Sequence, residues 1–555
     1  GVDTMSGAQL AKLRPVSEIA SELGLLPDEL ELYGPYKAKV RLDAIARLGA
    51  PRARYVLVTG ITPTPFGEGK TTVSVGLGQA FGRLGLRSIV TVRQSSMGPV
   101  FGTKGAGAGG GAAQLHPFPD LALHFTGDNH AVTVAHNLLA AVLDNALYQG
   151  TTALDPRTVT WPRVIDLNDR ALRQLVLGLG ESARTVRLTR FDITPASEVM
   201  AILALARDYR DLRERLGRIV VGTTWDGRPV TADELGAAGA MAALLVDALK
   251  PNLVQTSEGT AAFVHAGPFG NIATGTSSVV ADMLATRLGD VVITEAGFGT
   301  DLGAEKFFHI KCRASGLAPH AAVLVASVRA LKVQGGKSVR EIEQGGEDLA
   351  ALEAGLPNLI KHIENLKTFG VPAVVAINRF PTDSARELER VAQAAIDAGA
   401  RDAAVVEVYS RGGEGGIDLA QAVLRAAASE PAFQPVYELD WPLEQKVEAI
   451  ARTIYGAAAV RFSAAARRQL EDLTRHGYDK LPVCMAKTPT SLSADPNLLG
   501  RPEGFTVEVR ELRLFAGAGY VVVLLNDIQT MPGLGRKPRA AQIDIDEHGN
   551  IIGVS

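Results

Sequence analysis

The stretch that decides the fold is Arg54-Tyr-Val-Leu-Val-Thr59, together with the loop that follows it, Thr64-Pro-Phe-Gly-Glu-Gly-Lys-Thr71. The first run is short and rich in β-branched and apolar residues, which is typical of a buried strand. A helical pattern follows from Lys70 to about Leu84, and a second β-rich run covers Arg87–Arg93. Parallel strands need a crossover between them, usually a helix. The strand–loop–helix–strand order therefore predicts a parallel α/β sheet with helices on both faces.

The loop resembles the phosphate-binding template G-x-x-x-x-G-K-[ST], with Thr64 in place of the first glycine. In such a P-loop NTPase-like fold the glycines turn backbone N–H groups toward phosphate oxygens, and the helix N-terminus adds partial positive charge. We expect Lys70 to reach the β- and γ-phosphates and the Thr71 hydroxyl to hold Mg²⁺, with Thr72 able to substitute. The alternative is a glycine-rich turn before a helix with a chance lysine. The predicted nucleotide-binding residues are Thr64, Pro65, Phe66, Gly67, Glu68, Gly69, Lys70, Thr71 and Thr72.

The loop after a later predicted strand indicates which base the nucleotide carries. GTPases read guanine with an Asn-Lys-x-Asp loop, whereas the comparable place in this chain holds Asn378-Arg-Phe-Pro381. This difference favours ATP.

Further β-rich runs return in the second half of the chain, and each ends in a loop of small or polar residues. Ligands of open α/β sheets bind beyond the carboxyl ends of the strands, so these loops are the candidate site. We predict a nucleotide domain in two parts, residues 1–137 and 271–370, a helix-rich insertion at 138–270, and a smaller C-terminal α/β unit at 371–555. The predicted later strands are Val291–Thr294, Ala322–Val328, Pro372–Ile377 and Ala403–Val408.

Composition excludes several classes of protein. The 555 residues are 46% hydrophobic with a net charge of -3, which fits a globular protein and gives no sign of a nucleic-acid surface. No apolar run reaches the roughly 18 residues of a membrane span, so no membrane association is expected. The only cysteines, Cys312 and Cys484, are too few for a disulfide framework and fit a reducing cytoplasm. We expect Gly1–Thr4, ahead of Met5, to be an expression remnant.

Four further stretches narrow the function, because together with the loop they resemble the formate–tetrahydrofolate ligase family over essentially the whole chain. Motifs of this length are very unlikely to coincide by chance. They are Gly98–Gln114 (GPVFGTKGAGAGGGAAQ), His124–His130 (HFTGDNH), Thr294–Arg313 (TEAGFGTDLGAEKFFHIKCR) and Val325–Gly336 (VASVRALKVQGG).

The resemblance implies a ligase that uses ATP, Mg²⁺ and tetrahydrofolate, acts in two steps, and assembles as a homotetramer. Formate would attack the γ-phosphate of ATP to give formyl phosphate, and N10 of tetrahydrofolate would then take the formyl group. By resemblance Arg93 holds the formyl phosphate beside Lys70; a surface salt bridge is the alternative for Arg93. Asp128 is a candidate acid or base, and a helix-capping aspartate is the alternative.

Phe380 and Tyr409 match the family's pair of aromatic residues that stack on the folate ring. Each follows a predicted strand, and for each the alternative is ordinary core packing.

Several motif positions depart from the family pattern. Gln94 replaces a glutamate near the site of the activating monovalent cation, which puts that dependence in question. The others are Ala112 and Thr490 in place of tyrosines, Thr274 in place of a histidine, and Tyr409 in place of a tryptophan. Two further hypotheses therefore stay open: a ligase on this scaffold for another small acid or one-carbon acceptor, and a nucleotide-binding homologue without catalysis.

Overall fold

The structure, a computed structural model, describes residues 12–180 and 184–555. The segment Gly1–Thr4 lies outside this range. The largest sheet within it has 12 strands. They are β1 (Leu30–Leu32), β2 (Ala38–Val40), β3 (Arg54–Gly60), β4 (Ser88–Val92), β5 (Gly109–Gly110), β6 (Ala113–His116), β7 (Asn252–Thr256), β8 (Ala261–Val264), β9 (Val291–Gly299), β10 (Ala321–Ala326), β11 (Ala373–Asn378) and β12 (Asp402–Val406).

The main path through this sheet is β1-β2-β7-β8-β4-β9-β3-β10-β11-β12. Every neighbouring pair from β8 to β12 is parallel. The pairs among β1, β2, β7 and β8 are antiparallel. The predicted α/β class is thus confirmed, with a mixed sheet that is mostly parallel.

Strand β3 shows why helices cover both faces, since its side chains alternate between two cores. Tyr55 and Leu57 enter a core with the helices Val279–Leu288 and Leu349–Thr368. Val56 and Val58 enter a second core with the helices Lys70–Arg83 and Ile417–Ala426. Strands buried on both faces read as continuous apolar runs, and such runs made these strands visible in the sequence.

Helices flank the sheet and form most of the remaining architecture. The other α-helices are Val16–Glu22, Asp43–Leu48, Met97–Phe101, Asp128–Gln149, Glu198–Leu205, Tyr209–Arg218, Ala238–Leu244, Cys312–Ser315, Val328–Gln334, Val339–Glu343, Ala385–Asp397, Val408–Arg411, Leu443–Ile450 and Ala464–Arg475.

The region predicted as a helix-rich insertion holds short strand pairs as well as helices. Its pairs are Arg163–Ile165 with Phe191–Ile193, Leu175–Leu177 with Arg187–Thr189, and Val220–Thr223 with Pro229–Thr231. Its apolar core continues into the C-terminal strands Val483–Ala486 and Tyr520–Leu524.

The C-terminal part carries its own small sheets. Glu511–Phe515 pairs with Tyr520–Leu524, which pairs in turn with Val483–Ala486, while Ala459–Phe462 pairs with Thr506–Val509. Asp544–Ile545 pairs with Ile551–Ile552 in an antiparallel hairpin near the C-terminus. No helix in the described ranges is both long and apolar enough to cross a bilayer.

The helix Lys70–Arg83, which carries the loop, packs against β4 at Gly78. A Cβ added at Gly78 would overlap Cγ2 of Val90. Gly239, also helical, has open space at the same position, with Arg213 Nε 3.9 Å away as its nearest neighbour.

We expect Gly78→Ala to lower the free energy of unfolding by about 1–3 kcal/mol, because the methyl group forces overpacking. Gly239→Ala is the matched control and should raise it by up to about 1 kcal/mol, since alanine restricts the unfolded chain. The midpoints of urea unfolding followed by circular dichroism measure both. Equal midpoints for the two variants would contradict the packing of this helix on β4.

Candidate active site at the strand ends

The predicted site residues follow the carboxyl ends of neighbouring parallel strands. Arg93 follows β4, the loop 61–69 follows β3, Phe380 follows β11 and Tyr409 follows β12. Strand β9 runs between β4 and β3, and β10 between β3 and β11. The residues thus form a row along one edge of the sheet, in which each strand adds about 4.8 Å.

The loop after β3 is held in shape by its own residues. Gly67 and Gly69 adopt left-handed backbone angles, with φ of 69° and 72°. The buried Glu68 carboxylate accepts hydrogen bonds from the Thr64 hydroxyl at 2.6 Å and the Thr64 N–H at 3.2 Å. The Asn378 side chain donates to the Glu68 carbonyl at 3.0 Å, so the end of β11 also braces the loop. Burial raises the pKa of Glu68, against the effect of these bonds.

Lys70, the first helical residue, points along the strand ends rather than into solvent. Its stem passes Gly60, where a Cβ would lie 3.0 Å from Lys70 Cδ. Its Nζ donates to the carbonyls of Phe298 at 2.7 Å and Ala296 at 3.2 Å. Phe298 has a φ of 59°, a left-handed angle that costs a side-chain-bearing residue energy. This strained turn at the end of β9 aims a carbonyl at the lysine.

Burial lowers the pKa of Lys70 to about 8, since the charged ammonium loses water. The Glu295 carboxylate works in the opposite direction, and the nearby Arg93 guanidinium lowers the pKa further. Two half-buried cations therefore lie near the Glu295 carboxylate. Such a site favours a strongly anionic ligand.

Thr71 donates its hydroxyl hydrogen to the Glu295 carboxylate, with both oxygens 3.0 Å away. A loop hydroxyl beside a carboxylate from a neighbouring strand is the donor set that phosphate-loop proteins use for Mg²⁺. The remaining ligands of Mg²⁺ commonly come from substrate phosphates and water. The residues present thus fit a magnesium ion. Thr72 is half-buried at the next position.

Arg93 lies at the end of β4 and is held by backbone rather than by an ion pair. Its Nη1 donates to the Pro268 carbonyl at 3.1 Å. A Cβ at Gly297 would lie 3.1 Å from its Nη2, so glycine makes room for the guanidinium. Burial lowers the pKa of Arg93, and Glu295 opposes that shift. Among the described residues Arg93 thus forms no salt bridge, and its side chain is half-buried.

Gln94 is 2% exposed, yet neither its Nε2 nor its Oε1 has a hydrogen-bond partner in the described residues. Its backbone N–H donates to the Ala266 carbonyl at 2.7 Å, which fixes the strand end. An unpartnered buried amide costs roughly 1–3 kcal/mol. This amide is thus available to a ligand or a water molecule.

Asp128 is the first residue of the helix Asp128–Gln149, and the N-cap position is occupied by Gly127. Its carboxylate pairs with the buried Lys39 ammonium at 2.8 Å and accepts a hydrogen bond from the Asn252 amide at 2.8 Å. Both oxygens are thus engaged by the protein. The catalytic role of Asp128 stays a prediction.

Phe380 and Tyr409 follow adjacent parallel strands, as the predicted pair requires. Phe380 is half-buried, whereas Tyr409 is 65% exposed. The Tyr409 carbonyl accepts a hydrogen bond from Ala112 N at 2.8 Å. A Cβ at Gly110 would lie 3.1 Å from the tyrosine ring, so the glycine-rich segment lies directly against it.

The two remaining departures lie in different surroundings. Thr274 is buried, and its Oγ1 accepts a hydrogen bond from the Thr276 hydroxyl at 3.1 Å. Thr490 is exposed and lies 2.9 Å, hydroxyl to hydroxyl, from Thr488.

Three site residues were not assigned from the sequence: Glu295, Phe298 and Arg329. Glu295 and Phe298 belong to β9, whose place beside β3 follows only from the pairing of distant strands. Arg329 lies in the helix after β10, 3.5 Å from the centre of the Phe380 ring and 4.5 Å from that of Phe66. Glu295 could have been assigned from the sequence, because it is a carboxylate directly after a predicted strand.

Comparison with known proteins agrees with the resemblance noted in the motifs. A sequence model of the formate–tetrahydrofolate ligase family matches residues 3–555. A formate–tetrahydrofolate ligase from Roseiflexus sp. (strain RS-1) is 54% identical over 560 residues, with 99% of both chains covered. Those from Saccharopolyspora erythraea and Roseiflexus castenholzii are 54% and 52% identical, over 98% and 99% of both chains.

The lowered pKa of Lys70 predicts a pH effect on nucleotide capture. Above about pH 8 the free protein loses the ammonium charge, so the kcat/KM for ATP should fall by up to tenfold per pH unit. The kcat should hold to higher pH, because bound phosphates stabilise the protonated lysine. Initial rates from pH 7 to 10 give both profiles.

Lys70→Arg is the control, since a guanidinium stays protonated across this range. Its kcat/KM should lack the alkaline decline, whatever its absolute rate. A wild-type kcat/KM for ATP that is flat to pH 10 would contradict the assignment.

Proposed function

The chain belongs to the formate–tetrahydrofolate ligase family, and on that premise we propose that its ATP-dependent ligation of formate to tetrahydrofolate passes through formyl phosphate formed beside Lys70. The observation that carries the ligase activity is the family match across residues 3–555, with relatives above 50% identity over their full length. The intermediate and the residue roles rest on the geometry of the strand ends.

In the first step a formate oxygen attacks the γ-phosphorus of ATP. A new P–O bond forms, the bond to the β-phosphate oxygen breaks, and ADP leaves. Formate alone is a poor acyl donor, because its leaving group would be oxide; as formyl phosphate it can release phosphate instead. Lys70 and Arg93 support this step as two half-buried cations within each other's field, which would offset the charge of crowded anions.

The loop residues 64–72 would hold the ATP phosphates through backbone N–H groups and the helix N-terminus. Thr71 and Glu295 would hold Mg²⁺. When bound, that ion neutralises phosphate charge and orients the γ-phosphoryl group. Glu68 would act indirectly, by keeping the loop closed through Thr64.

In the second step N10 of tetrahydrofolate attacks the formyl carbon. The C–N bond forms, the bond from carbon to the phosphate oxygen breaks, and N10 gives up its proton. Phe380 and Tyr409 would bind the flat ring system through their faces. Asp128 would serve as acid or base only if its pair with Lys39 opened, because both of its oxygens are engaged.

Gln94 supports a second proposal, that activation by a monovalent cation is weak in this chain. The family places a glutamate here, whereas this chain buries a neutral amide. A buried carboxylate calls for a counter-cation, and an amide does not. An amide that can donate as well as accept could equally favour a small acid other than formate, which is the alternative function we retain.

We also propose a cytoplasmic homotetramer. The location fits Cys312 and Cys484, which are both buried and unpaired. Self-association is supported by the hairpin Leu175–Leu177 with Arg187–Thr189, on which Leu188 is 78% exposed. An exposed apolar hairpin commonly marks a protein interface.

Formate labelled with ¹⁸O on both oxygens tests the proposed route. The oxygen that attacks phosphorus must leave with inorganic phosphate, so each turnover should place one ¹⁸O in phosphate and yield one ADP and one 10-formyltetrahydrofolate. Mass spectrometry of the phosphate measures the label, with unlabelled formate in ¹⁸O-water as the control. Product with unlabelled phosphate would rule out formyl phosphate; no product would rule out formate as the substrate.

We expect K⁺ to raise the rate of the wild type by less than about twofold over tetramethylammonium at equal ionic strength, because Gln94 is neutral. Gln94→Glu should create a clear K⁺ requirement. Gln255→Glu, at a buried glutamine of β7, is the control that should create none. A strong K⁺ requirement in the wild type would show that Gln94 does not decide cation dependence.

A further inference from the structure

Arg329 holds a position that the established reaction does not explain. It lies at the start of the helix Val328–Gln334, directly after β10, the strand between the nucleotide loop and the Phe380 strand. Its Cζ lies 4.5 Å from the centre of the Phe66 ring and 3.5 Å from that of Phe380. One guanidinium therefore contacts an aromatic side chain of the nucleotide loop and the predicted folate-stacking residue.

The guanidinium has no ionic partner in the described residues. Its Nε is buried without a hydrogen-bond acceptor. Asp383, Glu68 and Glu343 act on it only through their longer-range fields. Two of these carboxylates are committed elsewhere, because Glu68 accepts from Thr64 and Asp383 from the Phe380 N–H at 2.9 Å.

A guanidinium stacked on aromatic rings uses its faces and leaves its N–H groups along the edge. These groups match the geometry of carboxylate, phosphate or carbonyl oxygens. Leaving a buried donor unpaired is costly, so an arginine held this way is best explained by an acceptor that arrives with a substrate. Because the two rings already restrict the guanidinium, its side chain would lose less conformational entropy on binding a ligand.

Position narrows the source of that acceptor to two substrates. The loop residues 64–71 lie one strand away from β10 on one side, and Phe380 one strand away on the other. This position between the nucleotide loop and Phe380 favours the phosphates of ATP or the folate as the source of the acceptor oxygen. Arg329 also covers one face of Phe380, so a flat ring can stack only on the other face while this contact persists.

We propose that Arg329 is a substrate-binding residue whose guanidinium edge binds an oxygen acceptor of ATP or of the folate while Phe66 and Phe380 hold its plane. This inference rests on the proposed function only for the identity of the folate. The two sources are separated by experiment.

The test measures the dissociation constants of Mg²⁺-ATP and of tetrahydrofolate by calorimetry, for the wild type and for Arg329→Met, Arg329→Lys and Arg390→Met. Methionine keeps an apolar stem between the rings and removes the donors; lysine keeps the charge without the fork. Arg390 pairs with Glu353 on a surface helix, so its loss is the matched control. Binding is read without turnover, so the result is independent of the ligase assay.

Arg329→Met should weaken one of the two ligands by about 10- to 100-fold, as expected for a charge-assisted hydrogen bond. Arg329→Lys should restore little of the loss, and Arg390→Met should change neither constant. Loss of ATP affinity assigns the acceptor to phosphate, and loss of tetrahydrofolate affinity assigns it to the folate. Unchanged constants for both ligands would overturn the proposal, and a lowered melting temperature alongside them would leave Arg329 as a structural clamp.

Discussion

The parallel pairing of β3 with β9 on one side and β10 on the other is the constraint on which the site depends. Parallel pairing places the carboxyl ends of all three strands at one edge of the sheet. Residues from segments far apart in sequence, such as Lys70, Glu295 and Arg329, thereby lie at the same edge of the sheet. Both faces of these strands are buried in apolar cores, so a slip in register would disrupt side-chain packing on both faces.

Local features of the sequence predicted much of this arrangement. The run Arg54–Thr59, the loop after it and the helix from Lys70 carry strand, turn and helix signals within a few residues, and the structure places all three there. Strand order was not accessible, because β9 enters between β3 and β4 from more than 200 residues away along the chain. That insertion brings Glu295 to Thr71. The residues before β3 contain the strands β1 and β2, which were not predicted from the sequence.

The balance of charges at the strand ends favours anionic ligands. Lys70 and Arg93 are both desolvated, and Glu295 is the carboxylate that acts on both. Two cations with one nearby carboxylate lower the stability of the free protein. A bound polyphosphate would neutralise them, and this would favour its binding. The strained backbone at Phe298 contributes to this charge balance. Its carbonyl accepts a hydrogen bond from Lys70 and so gives the lysine a neutral partner in place of a second carboxylate. The site is therefore organised for anions before any anion arrives.

The width of the row of strand ends limits how the second substrate can bind. From β3 to β11 there are two strand spacings, roughly 10 Å, and β12 adds one more. A ring stacked at Phe380 and Tyr409 thus lies to one side of the loop, and its reactive nitrogen must extend back across β10 toward the phosphates. The glycine-rich segment supports the far end of this path, because Gly110 and Gly111 lie against Tyr409 where side chains would collide. Arg329 is located along the path itself. If the folate binds as proposed, it would pass over the end of β10, where Arg329 has no ionic partner among the described residues.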